Sequence, residues 1–220
     1  MPTAGPIENW SDWTSRFATF LADQMSAADG AHDRAHIERV VTTARRLADI
    51  EDAQMEAVRP AAWLHDCVVV PKDHPRREDA SILAAEAAGS FLAEAGYPEH
   101  WIDPIEHAIA AHSYSGDVAP KTVEAKVVQD ADRLDALGAV GIARCFMVGG
   151  ALDHDFYDPD DPFCADRAPD DDTYALDHFY EKLLRLPKTM QTDAGRAEAE
   201  HRVQFMRTYL DRLADEIDVP

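Results

Sequence analysis

Four side chains at three separated positions are of the types that share a metal ion. His65 and Asp66 stand side by side after the apolar run Ala61 to Leu64, while His36 lies upstream and Asp132 downstream. Adjacent residues on a helix do not share a face, so we expect the pair where a helix ends or bends. Two imidazoles and two carboxylates suit a divalent first-row metal and leave coordination positions open for water.

Each of these residues also has an ordinary structural explanation. A lone His-Asp pair is more often a solvated helix end, and His36 on the apolar stripe of a helix is more often a satisfied core residue. Cys67, directly after the pair, is either a soft metal ligand or a small buried residue, and the second interpretation is favoured. The metal hypothesis therefore depends on all four positions together.

Helices are the elements that we expect to position these residues. Hydrophobic residues make up 46% of the chain, with ample Ala and Leu and few β-branched runs, which favours an all-α fold. Helical spacing predicts helices over 8–26, from about 33 to 47, 56–65, 78–94, 98–113, 123–137, 174–186 and 194–213, with an apolar stretch at 139–148. Residues 67–70 are predicted to be a short extended piece. The length predicts one domain over 1–220.

The charge balance excludes some partners. Lys and Arg number 21 against 42 Asp and Glu, a formal charge of −21, so the surface repels nucleic acid and anionic membranes. No apolar run approaches the length of a membrane span. The three cysteines form no CxxC pattern, and the N-terminal sequence does not resemble a signal peptide. Both observations predict a cytoplasmic protein with free thiols.

Two polar segments lie outside the predicted helices. Lys72, Arg76 and Arg77 form the basic cluster close to the proposed metal, and an acidic protein needs such a local positive pocket to hold an anionic substrate. The alternative is a basic surface loop. Residues 153–172 hold nine aspartates, one arginine and three prolines, which predicts irregular structure. A mobile lid and a solvated surface excursion both remain open for this segment.

In their order along the chain, these motifs resemble the HD superfamily of metal-dependent phosphohydrolases, whose pattern is H…HD…D. The similar stretches are His-Ile-Glu-Arg-Val at 36–40, Trp-Leu-His-Asp at 63–66, Ala-His-Ser-Tyr-Ser at 111–115 and Gln-Asp-Ala-Asp-Arg-Leu-Asp-Ala-Leu-Gly at 129–138. Asp-His-Pro-Arg-Arg at 73–77 and the segment 177–190 are similar to the small bacterial YedJ-like branch. The resemblance covers about 17–213.

The resemblance implies an HD-domain helical bundle, with a core at about 17–150, and a helical C-terminal extension at 173–217. It also implies metal ligation by His36, His65, Asp66 and Asp132. The divalent ion is Mn2+, Mg2+, Co2+ or Ni2+, and its identity stays open. Asp66 is expected to act in catalysis as well. Asp135, three residues after Asp132, shares its helical face and is predicted to orient a ligand or the nucleophilic water.

Two further histidines resemble the extra histidines of two-metal HD enzymes. His107 and His112 are five residues apart, a spacing that lets at most one of them point inward. His112 is favoured as a catalytic contact to the substrate phosphate or the leaving group, and His107 is assigned to substrate binding with Lys72, Arg76 and Arg77. A second metal ion is the minority interpretation.

The implied activity is hydrolysis of a nucleoside triphosphate to monophosphate and pyrophosphate. A phosphomonoesterase on nucleoside monophosphates and a phosphodiesterase on cyclic nucleotides remain enzymatic alternatives. A catalytically silent nucleotide-binding regulatory module is the alternative from another class. The expected partner is a small phosphorylated metabolite, with neither nucleic acid nor membrane, and a homodimer remains open.

Overall fold

The computed structural model describes residues 7, 9–24, 34–70, 76, 78–113 and 118–217. The chain divides into two compact units, Met1–Asp132 and Arg133–Pro220. Within the described ranges the regular elements are helices, with one isolated bridge between Asp155 and Tyr174. The all-α class predicted from the sequence is therefore confirmed. No single helix in this part of the chain is long and apolar enough to cross a membrane, and α-helices 123–135 and 138–151 pass such a test only when they are joined as a bent pair.

The first unit is built from consecutive helices. They are α1 (Trp10–Gln24), α2 (Arg34–Glu51), α3 (Met55–Leu64), α4 (Ala80–Glu94), a 3₁₀ helix (Glu99–Trp101), α5 (Ile102–Ala110) and α6 (Val123–Asp135), whose last residues belong to the second unit. Residues 67–70, predicted to be extended, have no regular structure. The core of this unit is formed by fully buried aromatic and aliphatic side chains, among them Phe17, Ile37, Leu64, Leu92, Ile105 and Ile109.

Helix α3 is buried on nearly every side and contains a proline. Pro60 has no backbone N–H, so the carbonyl of Glu56, four residues earlier, loses its intrahelical donor. The hydroxyl of Tyr97 donates to that carbonyl at 2.6 Å. An unpaired carbonyl in a buried helix is costly, and this bond removes the cost. Helix α3 is thus a rigid, buried support for the residues that follow it.

The second unit holds α7 (Gly138–Ala151), α8 (Asp177–Glu181), a 3₁₀ helix (Leu183–Thr189) and α9 (Asp193–Glu216). The prediction of one continuous helix over 174–186 was wrong. Lys182 has φ −129° and ψ −59°, which ends α8 and starts the 3₁₀ helix. Buried Phe179, Leu183 and Leu186 continue the apolar spacing across this break, so the sequence pattern does not reveal it.

The acidic segment 153–172 is irregular, as predicted, and is organised around one arginine. The guanidinium of Arg167 donates to both carboxylate oxygens of Asp177, with 2.8 Å from Nη2 to Oδ1, and its Nε donates to the carbonyl of Asp161 at 3.1 Å. The backbone N–H of Asp170 also donates to Asp177, at 2.7 Å. The Asp177 side chain is fully buried, so this arginine holds the segment to a core residue.

Candidate metal centre and active site

His65 and Asp66 are the two residues that directly follow the end of α3. Helix α3 ends at Leu64, and His65 keeps helical dihedral angles as its C-cap (φ −56°, ψ −35°). The His65 side chain is fully buried, and its Nδ1 lies 2.9 Å from the carbonyl oxygen of Ala62. That contact makes Nδ1 the donor and leaves the lone pair of Nε2 for a metal. The expectation that the His65–Asp66 pair lies at a helix end agrees with this geometry.

His36 of α2 contacts His65. The two Nε2 atoms lie 3.3 Å apart, and both rings are buried. Asp66 Oδ2 lies 3.5 Å from Nε2 of His65 and 3.7 Å from Nε2 of His36. Asp132 Oδ1, on α6, lies 3.5 Å from Nε2 of His36 and 3.8 Å from Nε2 of His65. All four residues predicted as metal ligands therefore converge.

The chemistry of this cluster fits a divalent cation. One ligand atom from each of His36, His65 and Asp66 lies within 4.8 Å of the others. Neighbouring ligands of an ion with bonds of about 2.1 Å are roughly 3.0–3.4 Å apart, close to the separations found here. Mixed imidazole and carboxylate ligation suits Mn2+, Co2+, Ni2+ or Mg2+ better than a thiophilic ion. The carboxylates are partly exposed while the imidazoles are not, so the cluster is open on its carboxylate side.

Burial sets the charge state of His65. Desolvation by burial lowers the pKa of His65, and this is the largest effect. The charges of Asp66 and Asp132 raise the pKa, whereas the neighbouring imidazoles of His112 and His36 lower it. The net shift is downward. A neutral imidazole retains the lone pair that a metal requires. The buried ring is therefore prepared for ligation before any ion is bound.

His112 lies next to the cluster and is buried. Its Nδ1 donates to the carbonyl of Ile109 at 2.6 Å, and its Nε2 lies 3.4 Å from Asp66 Oδ1. Burial alone would lower the pKa of His112, but the hydrogen bond and charge of Asp66 outweigh burial, and the net shift is upward. When protonated, the ring donates from both nitrogen atoms, so His112 is placed to hold a proton beside Asp66.

One polar residue of α6, Gln129, bonds next to the cluster and was not assigned a role from the sequence. Gln129 is buried, and its Nε2 donates to the carbonyl of Ala111 at 2.6 Å, directly before His112. Asp130 is fully buried as well. Gln129 stands three residues before Asp132, on the same helical face, and that spacing is the signal by which it could have been found.

The structure does not bring every predicted residue to this cluster. His107 accepts a hydrogen bond at Nε2 from the backbone N–H of Lys121 at 3.0 Å, and burial followed by the charge of Lys121 lowers its pKa. Arg76 is exposed and donates from Nε to Asp79 at 3.1 Å. Lys72 and Arg77, the other members of the basic cluster, lie outside the described residues.

Asp135, which belongs to the second unit, has an ionic partner in that same unit. The Asp135 side chain is buried, and Nη1 of Arg144 on α7 donates to its Oδ2 at 2.5 Å. Arg144 was not predicted as a functional residue. Its signal in the sequence is that it is the one charged residue within the apolar stretch 139–148.

The chain is similar to known proteins over nearly its whole length. The HD domain family model matches residues 34–137. The chain is 35% identical over 206 residues to YpgQ of Bacillus subtilis, across 92% of this chain and 91% of YpgQ. A solved structure of B. subtilis YpgQ in complex with ADP matches with a TM-score of 0.69, covering 93% of this chain and 98% of that one. An HD-superfamily hydrolase from Bacillus thuringiensis matches with a TM-score of 0.73 at 33% identity, covering 96% and 99%.

The helical fold and the imidazole–carboxylate cluster define a hydrolase of the metal-dependent kind. The chain belongs to the HD domain family.

Proposed function

We propose that the protein hydrolyses a nucleoside triphosphate to a nucleoside monophosphate and pyrophosphate, with a divalent metal ion as cofactor. The observation that carries this proposal is the convergence of His36, His65, Asp66 and Asp132, with donor atoms 3.3 to 3.8 Å apart. The complex of the YpgQ relative with ADP supports a nucleotide as the substrate class.

The cluster supplies what phosphoryl transfer needs. A divalent ion, when bound, neutralises phosphoryl oxygens and lowers the pKa of water. The remaining requirement is positioning and charge stabilisation. His112, which lies 3.4 Å from Asp66 Oδ1, would donate a hydrogen bond to the substrate phosphate or protonate the leaving group. Asp66 both ligates the ion and fixes His112.

The proposal that the bond between the α- and β-phosphates is broken rests on the position of three basic residues in the chain. Lys72, Arg76 and Arg77 follow Asp66 within eleven residues, and in the proposal they hold the β- and γ-phosphates as the leaving pyrophosphate. Water would then attack the α-phosphorus beside His36, His65, Asp66 and Asp132, and the bond to the bridging oxygen would break to release pyrophosphate. A monophosphate offers these cations no outer phosphate, and a cyclic nucleotide offers one charge only.

The test is a product assay on the purified full-length protein. Nucleoside triphosphates, monophosphates and cyclic nucleotides are supplied with Mg2+, Mn2+, Co2+ or Ni2+, and phosphate and pyrophosphate are measured separately. A triphosphate reaction in 18O-labelled water should place the label on the monophosphate and release intact pyrophosphate. His65→Ala provides the inactive control.

Other product patterns would replace this proposal. Inorganic phosphate with a diphosphate product places the attack at the γ-phosphorus. Turnover confined to monophosphates or cyclic nucleotides identifies a phosphomonoesterase or a phosphodiesterase. Tight binding of one nucleotide with no turnover under any of the four metals identifies a regulatory module.

A further inference from the structure

The carbonyl group of Ala111 lies at the end of α5 and directly precedes His112. Ala111 is the C-cap of α5, and the last carbonyl groups of a helix have no donor within that helix. Nε2 of Gln129, on α6, donates to the Ala111 carbonyl at 2.6 Å. Gln129 and Ala111 are both buried. This bond therefore joins the end of α5 to the middle of α6 inside the first unit.

The His112 ring is held by the same turn of the backbone. Its Nδ1 donates to the carbonyl of Ile109 at 2.6 Å, and the backbone N–H of His112 donates to that carbonyl at 3.3 Å. The bond from Gln129 holds the peptide group between Ala111 and His112. Loss of that bond would let the peptide group turn, and the ring would move relative to Asp66, whose Oδ1 lies 3.4 Å from His112 Nε2.

Helix α6 also carries one of the proposed metal ligands. Gln129 and Asp132 are three positions apart in this helix, so they lie on one face of it. Asp132 Oδ1 lies 3.5 Å from Nε2 of His36, within the proposed ligand set. The same helix thus places a ligand and holds the turn that carries His112, which fixes the position of His112 relative to the ligands.

The stability of the fold does not account for a glutamine at this position. Oε1 of the Gln129 amide is buried and accepts no hydrogen bond from the part of the chain that the structure describes. A buried oxygen atom without a donor costs free energy of folding. The amide therefore combines one favourable bond with one unfavourable burial, which leaves little net stabilisation. What the glutamine specifically provides is a fixed carbonyl at Ala111.

We infer that Gln129 is a positioning residue that acts on the reaction through His112. The inference rests on the proposed function, in which His112 donates to the substrate phosphate or protonates the leaving group. A misplacement of about 1 Å lowers a reaction rate by as much as about 100-fold. A bond that adds little to the stability of the fold therefore contributes to turnover.

The main test is a double-mutant cycle of Gln129→Met and His112→Ala, with kcat measured on the nucleotide that the wild type hydrolyses. Methionine is about as long as glutamine but has no donor. Gln129→Met should lower kcat at least about tenfold in the wild-type background. In the His112→Ala background it should change kcat less than about twofold, because the group that it positions is absent. Gln204→Met, at an exposed glutamine of α9, is the matched control and should keep wild-type kcat.

Melting temperature and metal content separate positioning from a role in the fold or in the ligand set. Gln129→Met should change Tm by less than about 4 °C, because loss of the unpaired Oε1 offsets loss of the bond. Its metal content by elemental analysis should equal that of the wild type. A larger fall in Tm, a loss of metal, or the same fold-change in kcat with and without His112 overturns the inference.

Nuclear magnetic resonance of protein with 15N-labelled histidine gives a result that does not depend on hydrolysis. The ring signals of His112 are assigned by their absence from His112→Ala. Gln129→Met should shift or broaden these signals, and Gln204→Met should leave them unchanged. If the wild type hydrolyses no nucleotide, the proposed function fails while these signals still decide the positioning role. Wild-type His112 signals in Gln129→Met overturn the inference in either case.

Discussion

The two carboxylate oxygens of Asp66 face different histidines, and Oδ1 lies 3.4 Å from Nε2 of His112. Oδ2 lies 3.5 Å from Nε2 of His65. One side chain therefore links the proposed ligand set to the imidazole that is proposed to contact the phosphate. A substitution at Asp66 should remove metal binding and disturb His112 at the same time, so single-residue tests of the metal site are better made elsewhere in the cluster.

We expect metal binding to require His65 and Asp132. His65→Ala and Asp132→Ala should each lose metal, measured by elemental analysis after dialysis, and should lose activity, because each removes one donor from a four-residue set. The circular-dichroism spectrum should remain helical. His100→Ala, an exposed histidine of the first 3₁₀ helix, is the control that should keep metal and turnover. Stoichiometric metal and full turnover in His65→Ala would show that the site is misassigned.

Removing a charge of the basic cluster should raise KM more for a substrate with more phosphates. Arg76→Ala and Lys72→Ala should raise KM for a triphosphate more than for a monophosphate, because the removed charges are proposed to contact the outer phosphates. Arg212→Ala is the control, since Arg212 also pairs with a nearby carboxylate on an exposed surface. Equal effects on both substrates would remove the argument for a polyphosphate.

The side chain of Glu106 should make stability depend on pH. It lies against Gly89, with its Oε1 1.6 Å from where a Cβ would stand, and desolvation, then Asp103 and Glu86, raise its pKa. A folded-state pKa above the unfolded value, about 4.3, means that protonation favours the fold. The contribution of protonated Glu106 to the free energy of unfolding is present below the unfolded-state pKa and is lost as the pH rises through the folded-state pKa.

Glu106→Gln should therefore raise the melting temperature at pH 7.5 and change it little near pH 4. Differential scanning calorimetry at both values measures this difference. The variant Glu200→Gln, at an exposed position of α9, should show no such pH-dependent gain. An equal Tm difference for Glu106→Gln at both pH values would mean that its ionisation does not affect folding.

Arg167 should be the most important charged residue of the acidic segment for stability. Arg167→Ala leaves the fully buried Asp177 without its ionic partner, which costs on the order of 3–5 kcal/mol of unfolding free energy. Denaturant titration measures this loss. Arg185→Ala breaks an exposed pair with Glu181 and should cost less than about 1 kcal/mol. If Arg167→Ala were no more destabilising than Arg185→Ala, the segment would be held by other contacts.

The helical class followed from the sequence because it depends on local patterns, whereas the convergence of the four proposed ligands was expected from the resemblance of their motif order to the HD superfamily. The apolar stripe on α2 places His36 inward, and the motif order joins it to His65, Asp66 and Asp132. Periodicity carries the helical class and the inward face of α2, because neighbours on one helix face repeat every three to four residues; the joining of the four residues rests on the resemblance.

The parts that the sequence did not predict depend on contacts between elements or on a change of helix type. The pair formed by Asp135 and Arg144 joins the end of α6 to α7 across a helix break, and no spacing rule within one helix predicts it. The break at Lys182 leaves the apolar pattern of α8 uninterrupted, since the buried side chains of an α-helix and a 3₁₀ helix recur at nearly the same intervals. Both features required coordinates.

The termination of α3 at Leu64 has a consequence for protein design. Metal sites on designed bundles are usually drawn with ligands one turn apart on a continuous helix face. Here the helix ends at Leu64, and the two consecutive proposed ligands follow as its C-cap, His65, and a turn residue, Asp66. A designer who copies this centre needs a buried helix of set length with an abrupt end, and extending that helix by one turn would separate the two donors by about 100° around its axis.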